Sequence, residues 1–263
     1  MKPPPIVTLT TDFGTADHFV ASMKGVILGI APSARIVDIS HQVQPFQVSE
    51  GAFLIAEAYR YFPKRTVHVV VVDPGVGTSR RPILVEADSH YFVGPDNGVL
   101  APIYTRNKAR IRGITNAKFF LPNPSRTFHG RDIFAPAAAH LAQGARPSQF
   151  GKVIDDYLRP MQEGPTRIGH RAWAGAVARV DRFGNLITNF DASAFPAVET
   201  RPFVLLAGVH RTEKLVQNYA EAGPGELAVI VGSSGRLEVV MNQRSASEAT
   251  KCAAGTPVEL WIY

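Results

Sequence analysis

The sequence predicts an α/β protein: an N-terminal α/β domain with a mainly parallel sheet, residues 1–160, and a smaller C-terminal all-β barrel, residues 171–263. Three observations predict it. Val67–Val72 is an apolar, β-branched run, broken only by His68, that stops at Asp73-Pro74-Gly75 as a strand buried on both faces would. The strand-like runs before it are separated by stretches with apolar residues at helical spacing, the pattern of βαβ units. Beyond a polar stretch from Arg146 to about His170, which reads as a linker, short alternating segments are divided by Gly, Asn, Ser and Pro. That texture belongs to a small barrel or sandwich.

In chain order, Ile6–Thr11 is a strand that ends at an acid, Asp12. Asp17 is placed to cap a helix through Phe19, Val20, Met23, Ile27 and Ile30. Ala34–Ser40 is a second strand, 43–48 a loop around Phe46, and Ser49–Phe62 a second helix stopped by Pro63. The Val67 strand follows, then two strands in Pro82–Val93 about a turn at Asp88-Ser89. A helix runs from near Phe134 to Gly144, with Pro136 tolerated in its first turn. The later strands are Ala176–Val180, Leu186–Phe190, Pro202–Leu206, Leu227–Val231, Leu237–Val240 and Pro257–Ile262, with one short helical pattern at Lys214–Ala222.

Composition narrows the class. Hydrophobic residues make up 45% and charged residues 19% of 263 positions, a foldable soluble chain. The net charge of +6 comes without a basic run or aromatic-basic interleaving, so nucleic acid is not the expected partner. One cysteine, Cys252, excludes an intrachain disulfide and a Cys-cluster metal site. No signal-peptide pattern and no apolar run of about 18 residues is present, so no membrane association is expected and the cytoplasm is the expected location. The eight histidines show no metal-ligand spacing, so no metal is expected. A nucleophile elbow and a phosphate loop are also missing.

What remains is a set of polar residues among turn formers: Asp12, Asp73, Arg80, His129, Asp181, Asn185, Ser233 and Ser234. Asp73 and Asp12 stand where strands stop, and carboxyl ends of strands are where α/β sheets hold ligands. Each residue also has an ordinary structural role open to it, as a turn or cap former or, for Phe46, as core. Taken alone, they describe a two-domain small-molecule enzyme or binder.

Seven segments, in order and spanning nearly the whole chain, carry a resemblance. They are Thr10-Thr-Asp-Phe-Gly14, Pro45-Phe-Gln-Val-Ser-Glu-Gly-Ala52, Val72-Asp-Pro-Gly-Val-Gly-Thr-Ser-Arg-Arg81, Gly94-Pro-Asp-Asn-Gly98, Phe128-His-Gly-Arg-Asp132, Asp181-Arg-Phe-Gly-Asn-Leu-Ile-Thr-Asn189 and Gly232-Ser-Ser-Gly235. Together they resemble the S-adenosyl-L-methionine (SAM) hydroxide adenosyltransferases, the adenosine-forming SAM hydrolases related to fluorinase and chlorinase. The resemblance implies a homotrimer with SAM, a substrate and not a cofactor, at subunit interfaces. It implies catalytic roles for Asp73, Arg80 and His129 around the attacking water, with Arg81 leaving open which guanidinium points inward. Asp12 then holds the ribose hydroxyls, Phe46 lies beside sugar and adenine, and Asn185 reads the adenine edge. Asp181, Ser233 and Ser234 hold the methionine end, and the Asn242-Gln243 backbone meets adenine.

The residue types suit that chemistry. Attack at C5′ expels neutral methionine, so no general acid is needed for the leaving group. Water is a poor nucleophile, and a base such as Asp73 or His129 assists it. A guanidinium stabilises developing hydroxide in a water-poor cleft. Two alternatives are a SAM-dependent halogenase, disfavoured because Asp73 would repel a halide, and a non-catalytic SAM or adenosine binder.

Overall fold

The computed structural model describes residues 3–160 and 164–263. The chain divides into two compact units, 1–160 and 161–263.

The first unit contains β1 (Ile6–Thr11), α1 (Phe19–Ile30), β2 (Arg35–Ser40), α2 (Val48–Ala58), β3 (Val67–Val71), β4 (Pro82–Ala87), β5 (His90–Pro95), α3 (Ala101–Arg106), β6 (Ala109–Gly113) and α4 (Ala135–Ala142). Its six-stranded sheet has the order β2-β1-β3-β5-β4-β6. The pairs β1–β2, β1–β3 and β3–β5 are parallel, and β4 runs against both β5 and β6. The sheet is therefore mixed, with β4 alone reversed. The reversal comes from a two-residue hairpin: Asp88 and Ser89 both have positive φ (47° and 65°), as a tight type I′ connection requires.

All of β3 is buried, and its alternate residues feed two cores. Val67, Val69 and Val71 pack with Met23, Ile27 and Phe134, whereas Val70 and Val72 pack with Ile55, Ile83 and Ile103. Two covered faces explain why the strand shows no apolar-polar alternation. From β1 the chain turns outward to β2, and from β3 it proceeds to β5 on the opposite side. The carboxyl ends of β1 and β3 thus flank the switch point of the sheet, and Asp12 and Asp73 both leave from it.

The second unit contains β7 (Thr166–Gly169), β8 (Ala172–Val180), β9 (Leu186–Asp191), β10 (Phe203–Ala207), β11 (His210–Thr212), β12 (Leu215–Val216), β13 (Leu227–Val231), β14 (Arg236–Met241), α5 (Ala246–Thr250) and β15 (Pro257–Ile262). The strand order is β11-β10-β15-β8-β9-β14-β13-β12, with β7 paired to β8. The sheet curls around Val177, Leu186, Phe190, Leu205, Val229, Leu237, Val239 and Leu260. It is the expected barrel in the form of a curled half-barrel, whose terminal strands, the short β11 and β12, pair with β10 and β13.

Three expectations need correction and one gains detail. The N-cap of α1 is His18, without a side-chain cap bond, so Asp17 does not cap it. The stretch expected as a linker holds a 3₁₀ turn at Pro147–Gln149 and the strand β7; its residues 161–163 lie outside the described residues. Lys214–Ala222 is not helical: it supplies β12 and a 3₁₀ turn at Tyr219–Glu221. There Glu221 accepts from Gln217 N (2.9 Å) and Asn218 Nδ2 (2.6 Å), local bonds that compete with a helix. Finally, the helix ending at Gly144 opens with a π-helical turn, Gly130–Phe134.

Candidate active site

In the first unit the site begins where β3 ends. Pro74 stops the ladder, and the chain returns to β4 through Gly75, Gly77 and Thr78. Gly77 has φ +80°, and a Cβ there would lie 2.3 Å from the Arg126 carbonyl oxygen. Only glycine lets this loop touch the segment that leads to His129. Thr78 Oγ1 closes the loop by donating to Gly75 O (2.7 Å).

Three predicted residues meet here. Arg80 Nε donates to Asp73 Oδ1 (3.0 Å), and Nη2 donates to Asp73 Oδ2 and to His129 Nδ1 (2.7 Å). The side chains of Arg80 and Asp73 are 8% and 4% exposed, so the pair works in a low-dielectric setting. The guanidinium carbon lies 5.4 Å from the centre of the Phe134 ring. A guanidinium only donates, so His129 Nδ1 accepts and the ring proton sits on Nε2. Burial holds the His129 imidazole below its ordinary pKa, the Arg80 charge adds to that, and Asp73 and Asp132 oppose it. The remaining nitrogen, Arg80 Nη1, is buried with no hydrogen-bond partner. Buried donors are rarely left so, and this one is a ready anchor for an oxygen.

Arg81 turns to other work. It donates to Asp96 Oδ2 (2.8 Å), Asp156 Oδ1 (2.7 Å) and Asp156 O (2.8 Å), pinning the 94–98 loop to the chain near 156. Arg80 is therefore the guanidinium of the cluster.

Asp12 and Phe46 also meet. Asp12 Oδ2 accepts from Phe46 N (2.9 Å), and Phe46 is held at φ +69° with its ring 71% exposed. Left-handed backbone costs a phenylalanine energy, so the carboxylate fixes an unfavoured loop that displays an aromatic ring. Behind Asp12, Thr11 Oγ1 bonds His41 Nδ1 (2.8 Å), His41 Nε2 faces Asp38 Oδ1 (3.1 Å), and Asp38 pairs with Lys24 (2.6 Å).

In the second unit, Asp181 ties up the β8–β9 turn: Oδ1 accepts from Phe183 N (2.8 Å) and Asn185 N (2.9 Å), and Oδ2 from Asn185 Nδ2 (2.8 Å). A cavity of about 560 Å³ opens beside it, lined by Asn185, Asn242 and Gln243 together with Phe183, Tyr219 and Ser245. Gly184, at φ +84°, packs so tightly on Ser245 that a Cβ would approach its Oγ to 2.0 Å. That contact sets Asn185 against the 242–245 turn, where Gln243 has φ +53°. Ser233 and Ser234 occupy the β13–β14 turn and do not line the cavity; the Ser234 Oγ is buried without a partner.

Sequence reasoning missed Phe183, 78% exposed, and Tyr219, 46% exposed, two aromatic rings on one cavity. Phe183 lay inside a motif read for its Asp and Asn, and Tyr219 inside a segment read as helix. No helix is long and apolar enough to cross a membrane, and no group of three or more potential metal ligands is found among the described residues.

The comparisons with known proteins agree with one another. Residues 7–151 match the model of the SAM hydroxide adenosyltransferase N-terminal domain, and residues 175–259 that of the C-terminal domain. The chain is 38% identical over 261 residues to (R)-S-adenosyl-L-methionine hydrolase of Salinispora tropica, covering 94% of each. It is 35% identical to the enzyme of that name from Methanocaldococcus jannaschii, over 92% of this chain and 90% of the other. A fluorinase from Actinoplanes is more distant, at 28% over 97% and 96%. Among solved structures, an uncharacterized conserved protein from Thermotoga maritima superposes with a TM-score of 0.90 at 37% identity, over 97% of this chain and 99% of the other. The chain belongs to the SAM hydroxide adenosyltransferase family.

Proposed function

We propose that this protein hydrolyses S-adenosyl-L-methionine to adenosine and L-methionine. A water oxygen forms a bond to C5′ while the C5′–S bond breaks. Its electron pair stays on sulfur, which leaves as a neutral thioether, and the water proton passes to a base. The observation that carries this is the buried Asp73–Arg80–His129 cluster with Arg80 Nη1 unpaired. Nη1 anchors the nucleophilic oxygen and stabilises its hydroxide character. Asp73 is the better-placed proton acceptor, because each carboxylate oxygen keeps a lone pair after bonding Arg80, whereas the basic nitrogen of His129 is occupied. His129 holds Arg80 in register.

The cavity of the second unit suits adenine: the Phe183 and Tyr219 rings offer stacking faces and the Asn185 amide offers edge hydrogen bonds. Asp12 and Phe46 suit the ribose, a carboxylate for two hydroxyls beside an aromatic surface. Further parts of the proposal rest on the family resemblance: a homotrimer with SAM at subunit interfaces, Ser233 and Ser234 on the methionine end, and no cofactor; a cytoplasmic location is proposed from the lack of a signal-peptide pattern and of a long apolar run. Light scattering reads the trimer directly.

The experiment is chromatography of SAM incubated with pure protein, with and without chloride or fluoride. Adenosine and methionine in equal amounts, unaffected by halide, are expected. A 5′-halogenated nucleoside would make it a halogenase, and tight nucleoside binding without methionine release would make it a binder.

A further inference from the structure

Behind the turn that carries Asp12 lies a buried imidazole, His41, 6% exposed, with no part in the chemistry above. The two strands that frame it explain how it gets there. β1 and β2 pair in parallel with Leu9 opposite Asp38, but the next partners are Thr10 and Ser40. β2 therefore holds one extra residue, Ile39, just before both strands end. A slip of one residue changes the side that each following side chain takes. Asp38 and His41, three apart, come to share a side. His41 Nε2 lies 3.1 Å from Asp38 Oδ1, at ion-pair distance though not aligned as a hydrogen bond. The same slip carries His41 level with Thr11, the last residue of β1.

His41 holds the end of β1 at two points. Its Nδ1 bonds Thr11 Oγ1 (2.8 Å), and its carbonyl accepts from Gly14 N (2.8 Å). Those two residues bracket Asp12. The Asp38 carboxylate, paired with Lys24 (2.6 Å), favours the ring proton on Nε2, which makes Nδ1 an acceptor and aims the Thr11 hydroxyl hydrogen at it. The Thr11 oxygen then accepts from Phe13 N (3.3 Å). His41 also opens the loop whose far end, Phe46 N, donates to Asp12 Oδ2 (2.9 Å). The imidazole thus ties the roots of the two segments that bring Asp12 and Phe46 together. Thr11 is fully buried, so this pair acts on a ligand only through Asp12.

We propose that His41 is a positioning residue for recognition of the ribose: through Thr11 and Gly14 it fixes Asp12 so that the carboxylate meets the 2′- and 3′-hydroxyls. This rests on the function proposed above and names a residue that acts on the sugar end of that site. A carboxylate rejects a nucleoside that lacks its hydroxyls only when the acid itself is held in place. The ribose hydroxyls are the same in substrate and transition state, so their bonds tighten binding without speeding the chemistry. Loss of His41 should therefore raise KM for SAM more than it lowers kcat.

The test is calorimetric titration of the wild-type protein, His41→Ala and His41→Asn with adenosine and with 2′,3′-dideoxyadenosine, which lacks both hydroxyls. The wild-type protein should bind adenosine tighter by about tenfold or more, since hydrogen bonds to a charged group are at stake. That preference should fall to about threefold or less in His41→Ala and return in His41→Asn, whose amide still bonds Thr11 Oγ1. A protein that had merely lost stability would bind both nucleosides less well and keep their ratio. Equal binding of the two by wild-type protein, an unchanged ratio in His41→Ala, or a loss in His41→Asn as deep as in His41→Ala overturns the proposal. Should His41→Ala fail to fold, Thr11→Val removes the same bond with the side-chain shape kept, and a wild-type ratio there overturns it. Because binding is read without turnover, a preference that depends on His41 in a protein that leaves SAM intact refutes the hydrolase and not the role of His41.

Discussion

Arg80 is the residue on which the proposed chemistry turns, and its neighbours explain its posture. Asp73 neutralises it and His129 accepts its third bond, so the guanidinium is fixed in a plane with Nη1 left over. His129 serves as an acceptor here, which yields a specific expectation. An asparagine oxygen can replace an imidazole Nδ1 as acceptor, so His129→Asn should keep about tenfold more kcat/KM than His129→Ala. The pH profile carries the same message. Burial keeps the imidazole neutral below its usual range, so its protonation, which would remove the acceptor and repel Arg80, cuts activity only below pH 6.5. Steady-state kinetics of both variants from pH 5 to 8 check this; equal losses in the two variants would rule out the acceptor role. The sequence singled the three residues out as polar groups among turn formers, and only the family resemblance grouped them. The choice of Arg80 over Arg81 was not legible, because neighbouring residues share every sequence cue and only Asp96 and Asp156, distant in the chain, draw Arg81 away.

At the scale of elements, two glycine contacts place the sites. Gly77 meets Arg126 O and Gly184 meets Ser245, both at positive φ. Gly77→Ala combines a left-handed backbone with a clash against a carbonyl, which cannot swing aside as a side chain would. It should destabilise the protein by about 1–3 kcal/mol and cut kcat by at least tenfold through the displaced loop, read by urea unfolding and single-turnover kinetics. Wild-type kcat in this variant would show that the loop does not register Arg80 on His129. In the first unit β1 to β5 and the helices α1, α2 and α4 followed from the sequence pattern, whereas α3 and β6 were not foreseen. Nor were β12 and α5 of the second unit. Leu215, Tyr219 and Ala222 fall at helical spacing, yet Glu221 and Asn218 bind the backbone locally and the sheet takes Leu215 and Val216. α5 is only five residues long, and its one signal was Ser245-x-x-Glu248, where Ser245 Oγ accepts from Glu248 N (3.0 Å).

For the whole molecule, the α/β class of the first unit could be read from β3 together with the helical spacing between the strands before it, and the all-β second unit from its short alternating segments. The single polar side chain within β3 sets a pH limit on stability. His68 is fully buried, bonded to Thr8 Oγ1 (2.8 Å) and His90 Nδ1 (3.2 Å). Burial, helped by His90, lowers its pKa from 6.5 to about 3. The unfolded chain therefore binds a proton that the folded one refuses, and stability falls as pH drops from 6.5 toward 3, by an amount on the order of a few kcal/mol. The paired carboxylates of Asp38 and Asp132, held below their usual range, lose stability in the same direction lower in that window. Urea unfolding between pH 7 and 3 reads the sum, and an NMR titration of the His68 ring isolates its part: protonation near pH 6 in the folded state would contradict the buried neutral imidazole. The barrel character of the second unit was legible from its short alternating segments, whereas the pairing of the short strands β11 and β12 at the ends of the sheet was not.

The central claim is that Arg80 and its partners direct a water oxygen to C5′. It is tested most directly by incubating SAM with the protein in oxygen-18 water and weighing the adenosine formed. One labelled oxygen at the 5′ position is expected, with the rate reduced about 10²- to 10³-fold in Arg80→Ala. Unlabelled adenosine, or undiminished turnover in that variant, would contradict it.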